Sequence, residues 1–187
     1  MSKRAWVFPG QGSQTVGMLK DLAENYPQVE ETFSRASKVL GYDLWDVVQN
    51  DKTQTLGQTQ VTQPALLAAS YAIFQVLKAQ DVNLPHYLAG HSLGEYSALV
   101  CSGVLTFEDG IKLVEARGKF MQQAVPEGVG AMYAIIGLDD AKVIQACAEA
   151  QTETQLIVSA VNFNSPGQVV IAGNAQAAEK AAELCKV

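Results

Sequence analysis

Cysteine is scarce in this 187-residue chain: Cys101, Cys147 and Cys185 are odd in number and far apart. That excludes a disulfide framework and any cysteine-based metal spacing, and reduced thiols in a cytoplasmic protein are the plain reading. Histidine is scarcer still, with His86 and His91 the whole supply. Positive charge is in deficit. A net charge of −6 leaves no basic footprint, so nucleic acid is not an expected partner. Long apolar runs are missing too. The helix expected at Ala65–Ala79 is interrupted by Ser70, Gln75 and Lys78, so it reads as a core helix and no membrane association is expected. Met1-Ser2-Lys3-Arg4 leads straight into a short apolar strand without a signal-peptide core. No metal-ligand cluster and no G-K-[ST] phosphate loop is present, which argues against a metal site and a Walker-type nucleotide site.

What is present centres on Tyr87–Tyr96. Gly90-His91-Ser92-Leu93-Gly94 is a G-x-S-x-G pentapeptide between an apolar strand and a helical stretch. On a sharp strand-to-helix turn the serine hydroxyl stands clear of the sheet's C-terminal end, and the glycines remove Cβ atoms that would collide there. The N–H of Leu93 can then donate to a developing oxyanion, with the helix start adding partial positive charge.

In chain order, Ala5–Phe8 reads as a buried parallel strand, ending in the loop Pro9-Gly10-Gln11-Gly12-Ser13-Gln14. A glutamine such as Gln11, on a glycine-flanked loop after a strand, can aim its backbone N–H into a cleft at the sheet edge. Helices are expected at Met18–Asn25 and Val29–Leu40, and a polar surface loop at Asn50–Thr62. Pro64 suits the first turn of the next helix, where a missing N–H does no harm. Strand His86–Ala89 leads into the elbow and a helix stopped by Gly103. Thr106 with Asp109 resembles a capping box, opening a helix to about Val125 whose buried side draws on Ile111, Val114, Phe120 and Met121. After Pro126-Glu127-Gly128 the expected order is strand Val129–Ile136, helix Ala141–Ala150, strand Leu156–Asn162, turn Asn164–Gly167, strand Gln168–Ala172 and helix Ala175–Lys186. That βαββα order is a ferredoxin-like unit lacking its last strand. Either the small domain keeps an unpaired edge, or the chain stops short of its natural end at Val187; the cost of an open edge favours the second.

Five motifs occur together in order: Phe8–Gln14, Thr62-Gln63-Pro64-Ala65, Gly90–Tyr96, Glu115-Ala116-Arg117-Gly118 and Asn162–Pro166. As a set they resemble the malonyl-CoA:acyl carrier protein transacylases and the acyltransferase domains of fatty acid and polyketide synthases. The resemblance implies an α/β fold, an α/β-hydrolase-like core (residues 1–127) with an inserted ferredoxin-like small subdomain (128–187). It implies ping-pong acyl transfer in fatty acid biosynthesis. Ser92 attacks the thioester of malonyl-CoA and then passes malonyl to the phosphopantetheine thiol of acyl carrier protein. Backbone N–H groups of Gln11 and Leu93 form the oxyanion hole, and Arg117 pairs with the malonyl carboxylate. Gln63, His91 and Asn162 match positions around the pocket. No bound cofactor is implied, coenzyme A arriving only as the substrate thioester. An acidic carrier would be repelled by the average charge, so docking it calls for a local basic patch.

The residues by themselves also carry plainer readings. Arg117, between Glu115 and Lys119, reads as a surface charge; His91 as packed away from the nucleophile; His86 as structural; Asn162 as an Asx turn at a strand end; Cys101 as core. The family draws its catalytic base from a histidine just after the small domain, followed by a glutamine, and neither lies within these 187 residues. The isolated segment is therefore expected to transfer malonyl poorly. Two rivals stand beside the transacylase: a serine esterase or lipase on the same elbow, and a catalytically silent binding fragment. Arg117 argues against the esterase, since an arginine in an acyl pocket is costly without an anionic substrate.

Overall fold

The computed structural model describes residues 3–126 and 128–186. Met1 and Ser2, Glu127 of the expected inter-domain turn and boundary, and the terminal Val187 lie outside the described residues. The chain is mixed α/β, with one parallel and one antiparallel sheet, and divides into two compact units, Met1–Gln122 and Gln123–Val187.

The first unit contains β1 (Ala5–Phe8), α1 (Lys20–Asn25), α2 (Gln28–Leu40), α3 (Leu44–Asn50), α4 (Thr59–Ala79), β2 (Tyr87–Gly90), α5 (Leu93–Cys101) and most of α6 (Phe107–Ala124). Strands β1 and β2 run parallel with Ala5 opposite Tyr87 and Phe8 opposite Gly90. This register delivers the loop after Phe8 and the elbow after Gly90 to the same end of the sheet. Helix α4 is apolar nearly all round, and Ala65, Leu67, Ala68 and Ala72 have no solvent exposure. Such a helix belongs inside. It is wrapped by Val29 and Phe33 of α2, Leu44 and Val48 of α3, and Ile111 and Val114 of α6. Each such side chain contributes roughly 1.5–3 kcal/mol of transfer free energy.

Four local expectations need correction. Helix α4 starts at Thr59, so the expected loop ends four residues early and Pro64 is the sixth helical residue. Tertiary contact outweighs proline's preference for a first turn. The Thr62 hydroxyl is fully buried, bonded to the Leu56 and Gln58 carbonyls. A Cβ at Gly118 would lie 2.5 Å from Gln60 Cα, so α6 presses on α4's opening turn. Second, β1 is not buried on both faces. Trp6 meets Phe74 edge to face at 5.9 Å and Phe8 is buried, while Ala5 and Val7 alternate to the other face, with Val7 78% exposed. Third, Phe120 and Met121 are exposed, because α6 buries the stripe Phe107, Gly110, Ile111, Val114 and Gly118, and Phe120 lies off it. Fourth, α3 was not expected; Asp43 caps it by accepting from Asp46 N at 3.0 Å. The Thr106 cap does form, its Oγ1 accepting from Asp109 N at 3.2 Å, while Asp109 Oδ2 takes the Thr106 hydroxyl at 2.8 Å in place of the backbone N–H of a full capping box.

The second unit runs β3 (Gly130–Ile136), α7 (Asp140–Thr154), β4 (Val158–Ser165), β5 (Gln168–Asn174) and α8 (Ala175–Leu184). Its sheet is antiparallel in the order β3-β5-β4. One sheet face packs through Val158, Val169 and Ile171 against Val143, Cys147 and Ala150 of α7 and Ala177, Ala178 and Ala181 of α8. Small residues on α8 let both helices lie close. Among the described residues, no helix is long and apolar enough to cross a membrane.

Candidate active site

The elbow forms because backbone meets backbone where the two glycines stand. A Cβ on Gly90 would overlap the carbonyl of Gly94, and a Cβ on Gly94 would overlap the carbonyl of Phe8. Gly94 N donates to His91 O at 2.9 Å and Glu95 N to Ser92 O at 3.2 Å, closing the turn into α5. Ser92 is held at φ 53°, ψ −108°, a conformation an L-residue keeps only when its surroundings impose it, at about 1–3 kcal/mol. Leu93 follows as the first residue of α5 with its side chain buried, at the helix end where N–H groups lack intrahelical partners.

The loop after β1 lies against this turn. His91 N donates to Phe8 O at 3.3 Å, and a Cβ on Gly10 would stand 3.0 Å from His91 O and 3.2 Å from His91 Nδ1. The Gln14 side chain accepts from Gly12 N at 2.8 Å, with Gly12 at φ 106°. Gln11 Nε2 reaches Thr59 Oγ1 at 3.5 Å, linking the loop to the start of α4. His91 is exposed, not packed as expected: the ring lies beside Gly10, where a side chain would exclude it. His86 is structural, its Nδ1 accepting from Arg4 N at 3.2 Å and its N–H donating to Arg4 O at 2.8 Å.

Arg117 is no free surface charge. It is half-buried, and its Nη2 donates to Ser92 Oγ at 3.0 Å while Nη1 donates to Gln63 Oε1 at 2.9 Å. The guanidinium also stands 5.5 Å from the centroid of the Tyr96 ring, whose face attracts a cation. Gln63 has no solvent exposure, and its Nε2 donates to Met121 Sδ at 3.2 Å. Tyr96 and Met121 were missed as site residues. The available signal was spacing, since each lies four residues after a site residue, Ser92 and Arg117, on one helix face. Asn162 lies in the second unit, inside β4 and not at its end, beside an irregularity in the pairing with β5. Cys101 is half-buried rather than core, lines a cavity of about 860 Å³ beside β2, and burial pushes its thiol up to about 12. Among the described residues no group of three or more His, Cys, Asp or Glu is placed to hold a metal ion.

The arrangement is a nucleophile's hydroxyl on a constrained turn, a permanent cation beside it, and a glycine-rich loop alongside. The acyl transferase domain model matches residues 5–186 of the chain. The chain belongs to the acyl transferase domain family. Among relatives of this acyl transferase domain, the malonyl CoA-acyl carrier protein transacylase of Haemophilus influenzae is 66% identical over 187 residues, covering 100% of this chain and 59% of that protein. The protein of the same name from Escherichia coli strain K12 is 62% identical over 186 residues, covering 60% of its length. An acyl carrier protein S-malonyltransferase from Vibrio cholerae superposes with a TM-score of 0.94 at 63% identity, covering 99% of this chain and 60% of that one. A malonyl-transacylase solved in complex with a type II polyketide synthase acyl-carrier protein gives a TM-score of 0.95 at 59% identity, covering 99% of this chain and 59% of that one. The acyl transferase domain thus spans about 60% of the length of these relatives.

Proposed function

We propose that the complete gene product transfers malonyl from malonyl-CoA to the phosphopantetheine thiol of an acyl carrier protein, in the cytoplasm, through a malonyl ester on Ser92. The observation that carries this reading is the 3.0 Å contact between Arg117 Nη2 and Ser92 Oγ. An acyl group on Ser92 must replace that contact, and an acyl group ending in a carboxylate offers the guanidinium a two-pronged acceptor instead. The relatives' names support the same substrate class. In the first half-reaction Ser92 Oγ bonds to the thioester carbonyl carbon, the C–S bond breaks, and coenzyme A leaves as the thiol. In the second, the carrier's thiol attacks the ester and returns the hydroxyl. The N–H groups of Leu93 and Gln11 are assigned to the oxyanion, and His91 to the pocket. The hydrolase-like core and the ferredoxin-like small subdomain, with a division near residues 127 and 128, belong to this reading.

Among the described residues the hydrogen-bond partner found on Ser92 Oγ is Arg117, which only donates and cannot take the hydroxyl proton. We therefore expect the 187-residue chain by itself to transfer malonyl at a small fraction of the complete product's rate, measured with labelled malonyl-CoA and carrier. Robust turnover would show that a base lies within this segment.

Arg117→Ala tests the carboxylate anchor. Truncating one member of a close charge pair costs about 2–5 kcal/mol, so malonyl kcat/KM should fall roughly a hundredfold while acetyl transfer changes little. Equal losses for both acyl groups would remove the case for a malonyl substrate. An esterase would show unchanged hydrolysis of neutral esters in the same variant, with no malonyl adduct on Ser92 by mass spectrometry.

A further inference from the structure

The geometry points to Met121 as a positioning residue that sets the malonyl preference by locking the Gln63 side chain in the orientation that holds Arg117. This rests on the carboxylate-anchor reading of Arg117. Gln63 is fully buried on α4, and both groups flanking its amide come from α6, one turn apart: Arg117 Nη1 at 2.9 Å from Oε1, and Met121 Sδ at 3.2 Å from Nε2. A guanidinium donates and never accepts, whereas a thioether accepts and never donates. The amide therefore fits in one sense alone. Turned over, it would set its N–H groups against those of Arg117 and its oxygen against the sulfur's lone pairs.

Met121 keeps 48% of its surface in solvent, so apolar burial is a poor account of what it does here. Its sulfur is the acceptor that makes the flipped amide unfavourable. Without it, the buried Nε2 has lost its acceptor and the two amide orientations come closer in energy. In the flipped form the guanidinium is pushed from its place at Ser92, and malonyl binding suffers. An acyl group without a carboxylate makes no demand on Arg117 and would not register the change.

Met121→Leu keeps the volume and removes the acceptor; Met121→Gln restores an acceptor on a side chain of similar length. In the complete gene product, Met121→Leu should raise the malonyl-CoA KM about five- to tenfold, matching the loss of one buried acceptor. The malonyl-to-acetyl KM ratio should rise by the same factor, the melting temperature should fall by about a few degrees because the buried Nε2 has lost its acceptor, and Met121→Gln, which returns an acceptor together with a donor, should recover part of both. The proposal is overturned if Met121→Leu leaves the malonyl KM unchanged, if malonyl and acetyl transfer fall in proportion, or if Met121→Gln is as impaired as Met121→Leu. Arg117→Ala is measured alongside. An unchanged malonyl-to-acetyl ratio in that variant would sink the underlying reading, whatever happens at Met121.

Discussion

Gly94→Ala is expected to abolish the elbow and, with it, most of the stability of the first unit. The added methyl would overlap the Phe8 carbonyl oxygen and lie 2.8 Å from the Phe8 carbonyl carbon and 2.9 Å from the Pro9 oxygen. All three are backbone atoms, so no rotamer change relieves the clash. Either the end of β1 moves away from α5, or the turn around Ser92 opens. Overpacking of this kind costs about 3 kcal/mol or more where the obstacle is main chain. A typical domain has about 5–15 kcal/mol in hand. Thermal denaturation should show a drop in melting temperature on the order of ten degrees or failure to express in soluble form. Gly57→Ala is the control, because a Cβ there meets nothing within 4 Å. Equal stability of the Gly94 and Gly57 variants would show that the elbow is looser than described.

Ser92→Ala carries the other large effect. Removing a nucleophile that acts together with a base and an oxyanion site lowers kcat by roughly 10⁴- to 10⁶-fold. Malonyl-CoA should then leave no covalent malonyl on the protein in intact-mass measurements. The folded state should survive, because alanine removes a single oxygen and the backbone at φ 53° is imposed by its neighbours, not by the hydroxyl. Arg117 loses one of its two hydrogen-bonded partners and keeps Gln63, so malonyl-CoA should still bind. A variant that still acquires malonyl at the wild-type rate would move the nucleophile elsewhere in the chain.

The elbow was legible from five letters because its pattern is local, Gly90 and Gly94 between a strand and a helix, although the carbonyl that Gly94 must clear belongs to Phe8, far back in the chain. The cap at Thr106 and the βαββα order of the second unit were readable from local pattern, whereas the pairing of Phe8 with Gly90 joins segments far apart in the chain and was read only from the short, continuous apolar runs of the two strands. The start of α4 was not legible. Pro64 signals a first turn by itself, and what overrides it is Gly118, fifty-four positions away, together with the buried hydroxyl of Thr62. That Arg117 stands beside Ser92 was legible only through the resemblance, since Glu115 and Lys119 beside it suggest an ordinary charged face. That reading is half right, because Lys119 Nζ does pair with Glu115 at 2.6 Å. Met121 was expected in the core on its hydrophobicity, and its contact with Gln63 depends on how two helices cross, which no local pattern records. His91 was read as packed from its place just before Ser92; it is exposed, its ring beside Gly10 of a loop far back in the chain, which the letters around it do not record.

The close approach at Gly118 has a mechanical consequence. Thr59 O and Gln60 N would stand 2.7 and 2.8 Å from a Cβ there, so the helix carrying the guanidinium rests on peptide units rather than on compressible hydrocarbon. Arg117 is the neighbour of that glycine, and Gln63 sits one turn along the helix it rests on. The separation of the two is gauged by rigid covalent geometry, much as a shim sets a gap. Warming loosens rotamers long before it deforms peptide planes, so discrimination between acyl groups should drift less with temperature than turnover does.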